Sequence, residues 1–162
     1  TPQFLSRWRS VCSIISDSVR KGLDRAGSYM SGAFKWSTAA VTSIAISIAN
    51  SFAKTKTRPR YRRSREVHHI VAQKASQAYI ARNILVNKVR LKYGTNNSEN
   101  LVSIKTGLHR RLHTNTYYAF VNNVMLTAYG RGRTATQKLL NVIGALKVLR
   151  GMLLVLSAES PY

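Results

Sequence analysis

The chain has a single cysteine and very few acidic residues, and these two shortages exclude several kinds of site. Cys12 has no second cysteine with which to form an intrachain disulfide. Between Arg65 and Ala158 the only carboxylates are Glu66 and Glu99, so chemistry by paired carboxylates is not available there. The same shortage excludes a carboxylate cage for calcium and an all-oxygen magnesium site. No Gly-x-Ser-x-Gly segment is present, which argues against a Ser-His-Asp hydrolase.

The excess of basic residues predicts a polyanionic partner. The 162 residues include 26 lysines and arginines but only 5 acidic residues, which gives a formal net charge of +21. A surface this positive favours binding to nucleic acid or to an anionic membrane. Hydrophobic residues make up 44% of the chain, which is enough for a folded core and excludes a purely disordered basic tail.

We expect two parts, an N-terminal helical or linker segment over residues 1–57 and a folded domain over 58–162. The composition changes at Lys54 to Arg65, which holds seven basic residues and no acidic one. The stretch Trp36 to Ala53 carries no charge over 18 residues, the lower limit for a membrane span. Its many small and hydroxylated residues favour a packed or translocation-related helix instead. Because the chain opens on Thr1-Pro2-Gln3, we expect it to be the C-terminal part of a larger protein.

The folded part is predicted to be α+β and mostly helical. The histidine doublet followed by Ile70 and Val71 is typical of a short strand, and Leu101 to Ile104 of a second one. Apolar residues at helical spacing predict three helices. Gly94 is expected to end the first, and Gly130 and Gly132 to separate the second from the third. These helices are predicted over Ala75–Tyr93, from the N-cap Thr106 through Tyr117 to Ala128, and over Thr134–Leu156.

All four histidines fall into two clusters whose spacings suit a metal site. His109 and His113 stand four residues apart, so on a helix their rings share one face. His68 and His69 are neighbours in a strand, so their rings point to opposite sides. One of the doublet can join the helical pair around a metal while the other stays free. Three nitrogen ligands leave a coordination position open, as catalytic sites do, and a free histidine beside such a metal is placed to be a general base. The alternative is a closed zinc site of all four histidines, which is disfavoured because structural zinc prefers sets that contain cysteine.

The residues around these histidines resemble the AHH nucleases, a branch of the HNH/endonuclease VII superfamily found as toxin domains at the C-termini of bacterial secreted proteins. The motif itself is Glu66-Val67-His68-His69-Ile70-Val71. The likeness covers about residues 66 to 151 and includes Ala81-Arg82-Asn83-Ile84-Leu85, Asn100-Leu101-Val102, Leu108-His109, His113-Thr114, Tyr117-Tyr118 and Val121-Asn122. The spacing is also similar to that of colicin-type DNases, since Asn100 lies nine residues before His109. In those DNases an arginine and a glutamate precede the histidine doublet, and Arg62 and Glu66 lie at the matching positions of this chain.

The resemblance implies a ββα metal core with a helical insertion and flanking helices, and it gives the site residues their roles. His68, His109 and His113 would hold one divalent ion, which could be zinc, nickel, magnesium or manganese. His69 would be the general base, and Asn100 would hold the loop that carries it. Glu66 would orient a basic side chain such as Arg62 toward phosphate, or form an ordinary surface ion pair. The arginines expected to bind the nucleic-acid backbone are Arg58, Arg60, Arg62, Arg63, Arg65, Arg110 and Arg111.

By the same resemblance the chain would be a metal-dependent, largely sequence-non-specific endonuclease, with DNA rather than RNA as its expected substrate. It would be secreted or contact-delivered from a bacterium as a toxin, act in the target-cell cytoplasm, and require an acidic cognate immunity protein. We expect no small-molecule substrate, and membrane contact only during delivery. The alternatives are an RNase with the same site, a membrane-active toxin built on Trp36–Ala53 and Leu139–Leu156, and a nucleic-acid-binding module with a degenerate site. The basic stretch Lys54 to Arg65 could equally be a flexible linker.

Overall fold

The computed structural model describes residues 64–159, so the predicted N-terminal segment and Arg58, Arg60, Arg62 and Arg63 lie outside the described residues. Its elements are β1 (Arg65–His69), α1 (Tyr79–Asn83), β2 (Leu101–Lys105), α2 (Thr106–Leu112), α3 (Asn115–Gly130) and α4 (Ala135–Glu159). Short 3-10 turns lie at Ser76–Ala78, Gly94–Asn96 and Ser98–Asn100, and a π-helical turn, Ile84–Lys88, follows α1. The predicted α+β, mostly helical fold is confirmed.

The two strands form an antiparallel pair that leads directly into α2, which gives the predicted ββα unit. In the register His68 lies opposite Val102 and Glu66 lies opposite Ile104. Alternate residues of a strand share a face, so Glu66 and His68 point to the same side as these buried partners. His69 points to the other side and is half-buried. The strand therefore separates the two rings of the doublet, as predicted.

The insertion between the strands is not the single helix predicted over Ala75–Tyr93. Regular helix stops at Lys88, and Arg90 and Tyr93 adopt positive φ angles of 50° and 63° that a right-handed helix cannot contain. Contacts with α3 take the place of helical bonds, because the Asn122 side chain accepts a hydrogen bond from the Ala81 amide at 3.0 Å. The Asn122 amide also donates to the Gln77 carbonyl at 2.7 Å. Tertiary hydrogen bonding thus overrides the local helical pattern.

The predicted helix through His109 and His113 is also interrupted. Helix α2 ends at Leu112, and His113 has φ −74° and ψ 68°, outside the helical region. Thr114 then caps α3, since its hydroxyl accepts a hydrogen bond from the Tyr117 amide at 3.2 Å. Thr106, predicted as an N-cap, is instead the first residue of α2. His113 therefore lies at the corner between α2 and α3.

The core lies between the insertion, the sheet and the two long helices, and α4 packs on α3 and β2. Its largest fully buried side chains are Tyr117, Ile70, Leu85, Ile104, Leu108, Leu112, Met125, Leu146 and Leu149. Gly132 permits the tight connection from α3 to α4, because a Cβ atom there would lie 2.6 Å from the Lys138 backbone nitrogen. From α4, Arg150 donates to the Ser98 carbonyl and lies 3.7 Å from a Glu99 carboxylate oxygen. Helix α4 thus supports the turn that carries Asn100.

The apolar character of α4 has a bearing on the membrane alternative. Residues Ala135–Ala158 are long and apolar enough to cross a membrane by length and composition. Within the fold, 59% of its most apolar stretch is buried. Mostly buried core helices of globular domains can be equally long and apolar. This helix is therefore weak evidence for a membrane span. The other predicted membrane-active segment, Trp36–Ala53, lies outside the described residues.

Candidate metal centre

Three histidines from different parts of the fold lie close together. His68 comes from β1, His109 from α2 and His113 from the corner that follows α2. One ring nitrogen of each lies within 4.8 Å of the others. The ring centroids of His68 are 5.1 Å from His109 and 5.9 Å from His113, and the latter two are 4.9 Å apart. The predicted ligands are therefore brought together, and among the described residues His69 does not belong to the group.

His68 is the buried member of the group, with 1% of its surface exposed. Its Nε2 lies 2.9 Å from the Tyr117 hydroxyl, whereas its Nδ1 is buried and has no hydrogen-bond partner among the described residues. A buried polar atom without a partner is rare and calls for an explanation such as an ion. Burial, together with smaller contributions from the neighbouring His109, His113 and His69, lowers the pKa of His68 to about 3. The imidazole is therefore neutral, the form in which histidine binds metals.

His109 is held by a carboxylate. Its Nδ1 lies 2.5 Å from Glu66 Oε2, and Arg110 lies 3.4 Å from the other oxygen of the same carboxylate. The hydrogen bond from His109 holds the pKa of Glu66 below its usual value, so the carboxylate stays ionised and Nδ1 donates. The Nε2 of His109 is left to bind a metal, in the carboxylate–histidine arrangement that orients many metal ligands. We predicted that Glu66 would orient a basic side chain such as Arg62 or form a surface ion pair. Arg62 lies outside the described residues, Glu66 forms an ion pair with Arg110, and its contact with His109 was missed.

His113 is the most exposed of the three histidines. Its Nδ1 lies 2.8 Å from the Tyr118 hydroxyl, which leaves Nε2 as the nitrogen available to a metal. Partial burial lowers the pKa of His113, so this ring also favours the neutral state. All three imidazoles are thus contacted through one nitrogen and have the other available.

His69 at the end of β1 and Asn100 just before β2 are both held by hydrogen bonds to neighbouring loop residues. His69 Nε2 lies 3.1 Å from Asn96 Oδ1, which also accepts a hydrogen bond from Gln73 at 2.8 Å. Asn100 is fully buried, and its Oδ1 accepts from the Val71 amide at 2.8 Å while its Nδ2 donates to the Val71 carbonyl at 3.1 Å. Asn100 therefore fastens the backbone two residues after His69. Sequence reasoning missed Asn96.

This geometry agrees with a comparison of the sequence with known families. A family model described as a nuclease family of the HNH/ENDO VII superfamily with conserved AHH matches residues 49–153, more than half of the chain. The chain belongs to this AHH family. No curated protein and no solved structure matches it. The predicted resemblance is confirmed, and the chain is a nuclease by family.

The residues of this AHH nuclease fit a divalent metal ion. Imidazole ligands suit zinc or nickel, and the unpartnered, buried Nδ1 of His68 is an atom that such an ion would take up. HNH-type nucleases use a divalent metal. In the described part of the chain, His69 is not grouped with the other three histidines, which argues against a closed site of all four.

The predicted nucleic-acid-binding arginines that the structure describes lie on β1 and α2. Arg65 is exposed and donates to the Ser103 carbonyl at 2.7 Å, and Arg111 donates to the Gly107 carbonyl at 3.2 Å. Arg110 is exposed beside Glu66. Arg110 and Arg111 flank the metal ligand His109 in sequence, so α2 presents positive charge next to the histidine group. Their role in binding stays a prediction.

Proposed function

We propose that this AHH nuclease is a metal-dependent endonuclease that cuts DNA with little preference for sequence. The observation that carries the proposal is the group formed by His68, His109 and His113, with ligand nitrogens within 4.8 Å and a separate histidine, His69, adjacent in the chain. This is the arrangement in which a metal site keeps an open position and a base stands next to it.

The chain's own residues divide the chemistry between them. A divalent ion held by the three histidines would supply positive charge against the scissile phosphate and its leaving 3′ oxygen. His69 would take a proton from the attacking water. Asn96 Oδ1 can only accept a hydrogen bond, so it favours the proton on His69 Nε2 and leaves Nδ1 as the basic nitrogen. Asn100 holds the backbone after His69 and so limits where that ring can point.

Binding to nucleic acid is proposed to depend on backbone contacts from the arginines of α2 and of the basic stretch Lys54 to Arg65. We expect the affinity for DNA to fall on the order of 10³-fold between roughly 50 mM and 200 mM salt, because each phosphate contact releases counterions. Fluorescence anisotropy with oligonucleotides of unrelated sequence measures this dependence. Neutralising Arg58, Arg60, Arg62 and Arg63 together should weaken binding to all of them alike. A flat salt response, or a loss confined to one sequence, would contradict the proposed backbone binding.

We further propose that the nuclease is a toxin delivered into the cytoplasm of competing cells. The support is the family resemblance and the charge of +21, which favours a small, strongly acidic immunity protein as a fast-binding partner. Production of the chain in the cytoplasm without that partner should stop growth and degrade cellular DNA. The matched His69→Ala variant should be harmless, and co-production of the acidic partner should restore growth. A wild-type chain that leaves growth unchanged would contradict the toxin proposal even if weak cleavage is measured in vitro.

A further inference from the structure

The buried hydroxyl of Tyr117 determines which nitrogen of His68 carries the proton. The hydroxyl donates its only hydrogen to the Ile70 carbonyl, 2.9 Å away, and a carbonyl can only accept. The phenolic oxygen can then only accept from His68 Nε2, which lies 2.9 Å from it on the other side. A neutral imidazole has a single N–H, so the lone pair must be on Nδ1. This is the nitrogen that is buried without a hydrogen-bond partner among the described residues.

We propose that Tyr117 is a positioning residue of the metal centre, which holds His68 in the Nε2–H tautomer so that Nδ1 is the ligand atom. The inference rests on the proposed metal dependence and not on cleavage. It goes beyond the ligand set, because it assigns the ligand atom of one histidine and names the side chain that selects it. His68 and His113 each contact a tyrosine hydroxyl, whereas His109 is held by a carboxylate, and His68 is the one whose hydroxyl contact is through Nε2.

The fold makes this contact rigid. Tyr117 is 1% exposed and lies in the first turn of α3, directly after the cap formed by Thr114. Ile70 immediately follows the doublet and is fully buried, so the hydroxyl ties the end of β1 to the start of α3. The Ile70 amide is itself bound to the Asn100 carbonyl at 2.9 Å. Burial also raises the pKa of the Tyr117 hydroxyl well above its ordinary value, so the phenol keeps its proton.

The choice of a neutral partner has a chemical reason. His68 is surrounded by two other imidazoles and is almost fully buried, and in the described part of the chain its Nε2 contact is a hydroxyl and not a carboxylate. A neutral acceptor fixes the tautomer without placing a further buried charge beside the ring. Without it, the Nδ1–H tautomer would become accessible, and that tautomer has its proton where the metal would bind. Loss of such an orienting partner typically costs metal affinity about 10- to 100-fold.

The test is the Tyr117→Phe variant, which removes one oxygen and keeps the ring. In the metal-free wild-type chain labelled with ¹⁵N-histidine, the NMR spectrum at neutral pH should show His68 only as the Nε2–H tautomer. In the variant the Nδ1–H tautomer should appear. Calorimetric titration with zinc should show an affinity about 10- to 100-fold lower than that of the wild type. Tyr129→Phe is the matched control, since it makes the same change on the same helix beside Lys138 and should leave both readouts unchanged.

Two results would overturn the proposal. One is a wild-type spectrum in which His68 carries its proton on Nδ1, a measurement that does not depend on the stability of any variant. The other is a Tyr117→Phe variant that melts at a lower temperature but keeps the wild-type tautomer and zinc affinity, as a packing role alone would produce. A wild-type chain that binds no divalent ion would instead overturn the proposed metal dependence, while the tautomer of His68 would still decide the role of Tyr117.

Discussion

Replacing His69 by alanine is expected to slow cleavage by orders of magnitude while metal binding stays intact. The ring of His69 is separate from the three histidines whose nitrogens lie within 4.8 Å of one another, so its loss should remove the base and no ligand. General-base catalysis contributes about 10²- to 10⁴-fold, so the rate of plasmid cleavage should fall by a factor in this range. His69 is only half-buried, so the variant should fold as the wild type does.

Cleavage and metal content should be measured on the same preparation of this variant. Calorimetry with zinc or nickel should give one ion per chain for both the wild type and His69→Ala. If the variant loses its metal, the assignment of His68 as the ligand and His69 as the general base is wrong. If it keeps full activity, His69 is not the base.

Replacing His113 by alanine is expected to remove both metal affinity and cleavage. Two imidazoles would remain, and the loss of a direct ligand should exceed the roughly 10- to 100-fold effect that is typical of losing a residue that only orients one. His113 is the most exposed of the three histidines, so the metal-free fold should be little disturbed. Metal binding stabilises the native state by about 2.7 kcal/mol when the free ion is at 100 times its Kd, and this stabilisation should disappear in the variant.

Thermal unfolding with and without added zinc, together with calorimetry, measures these losses. Tyr118→Phe is a suitable control, because it removes the hydroxyl 2.8 Å from His113 Nδ1 and keeps the imidazole. Its loss of affinity should be much smaller than that of His113→Ala. Retention of full metal affinity by His113→Ala would show that His113 is not a ligand of the metal site.

The sequence was sufficient to predict the strands and the grouping of the histidines. Alternation in β1 separates His68 from His69 whatever the rest of the fold does, because it follows from the strand period of two. The spacing of His109 and His113 also predicted that their rings would meet, although the reason was partly wrong. The helix ends at Leu112, and the two rings meet across a corner and not along one continuous helix.

The contacts that orient the ligands could not be predicted, because they join residues that are distant in the chain. Tyr117 reaches His68 across 49 positions, and Glu66 reaches His109 across 43. The pairing of Glu66 had one local signal, since it lies two residues before His68 and so shares its face of β1. No comparable signal marked Asn96, whose position depends on the positive φ angles of Tyr93 and Gly94. The irregular insertion was missed for the same reason, since its hydrogen bonds go to Asn122 of α3.

The most direct test of the central claim, that three histidines hold a catalytic metal, is a metal-reconstitution assay of cleavage. The purified chain is stripped with a chelator, the chelator is removed, and divalent ions are added back in steps while plasmid nicking is measured. The account predicts no cleavage by the stripped chain and a return of activity that saturates near one ion per chain for at least one of zinc, nickel, magnesium and manganese. Unchanged cleavage by the stripped chain would contradict it, and so would saturation of activity at two ions per chain.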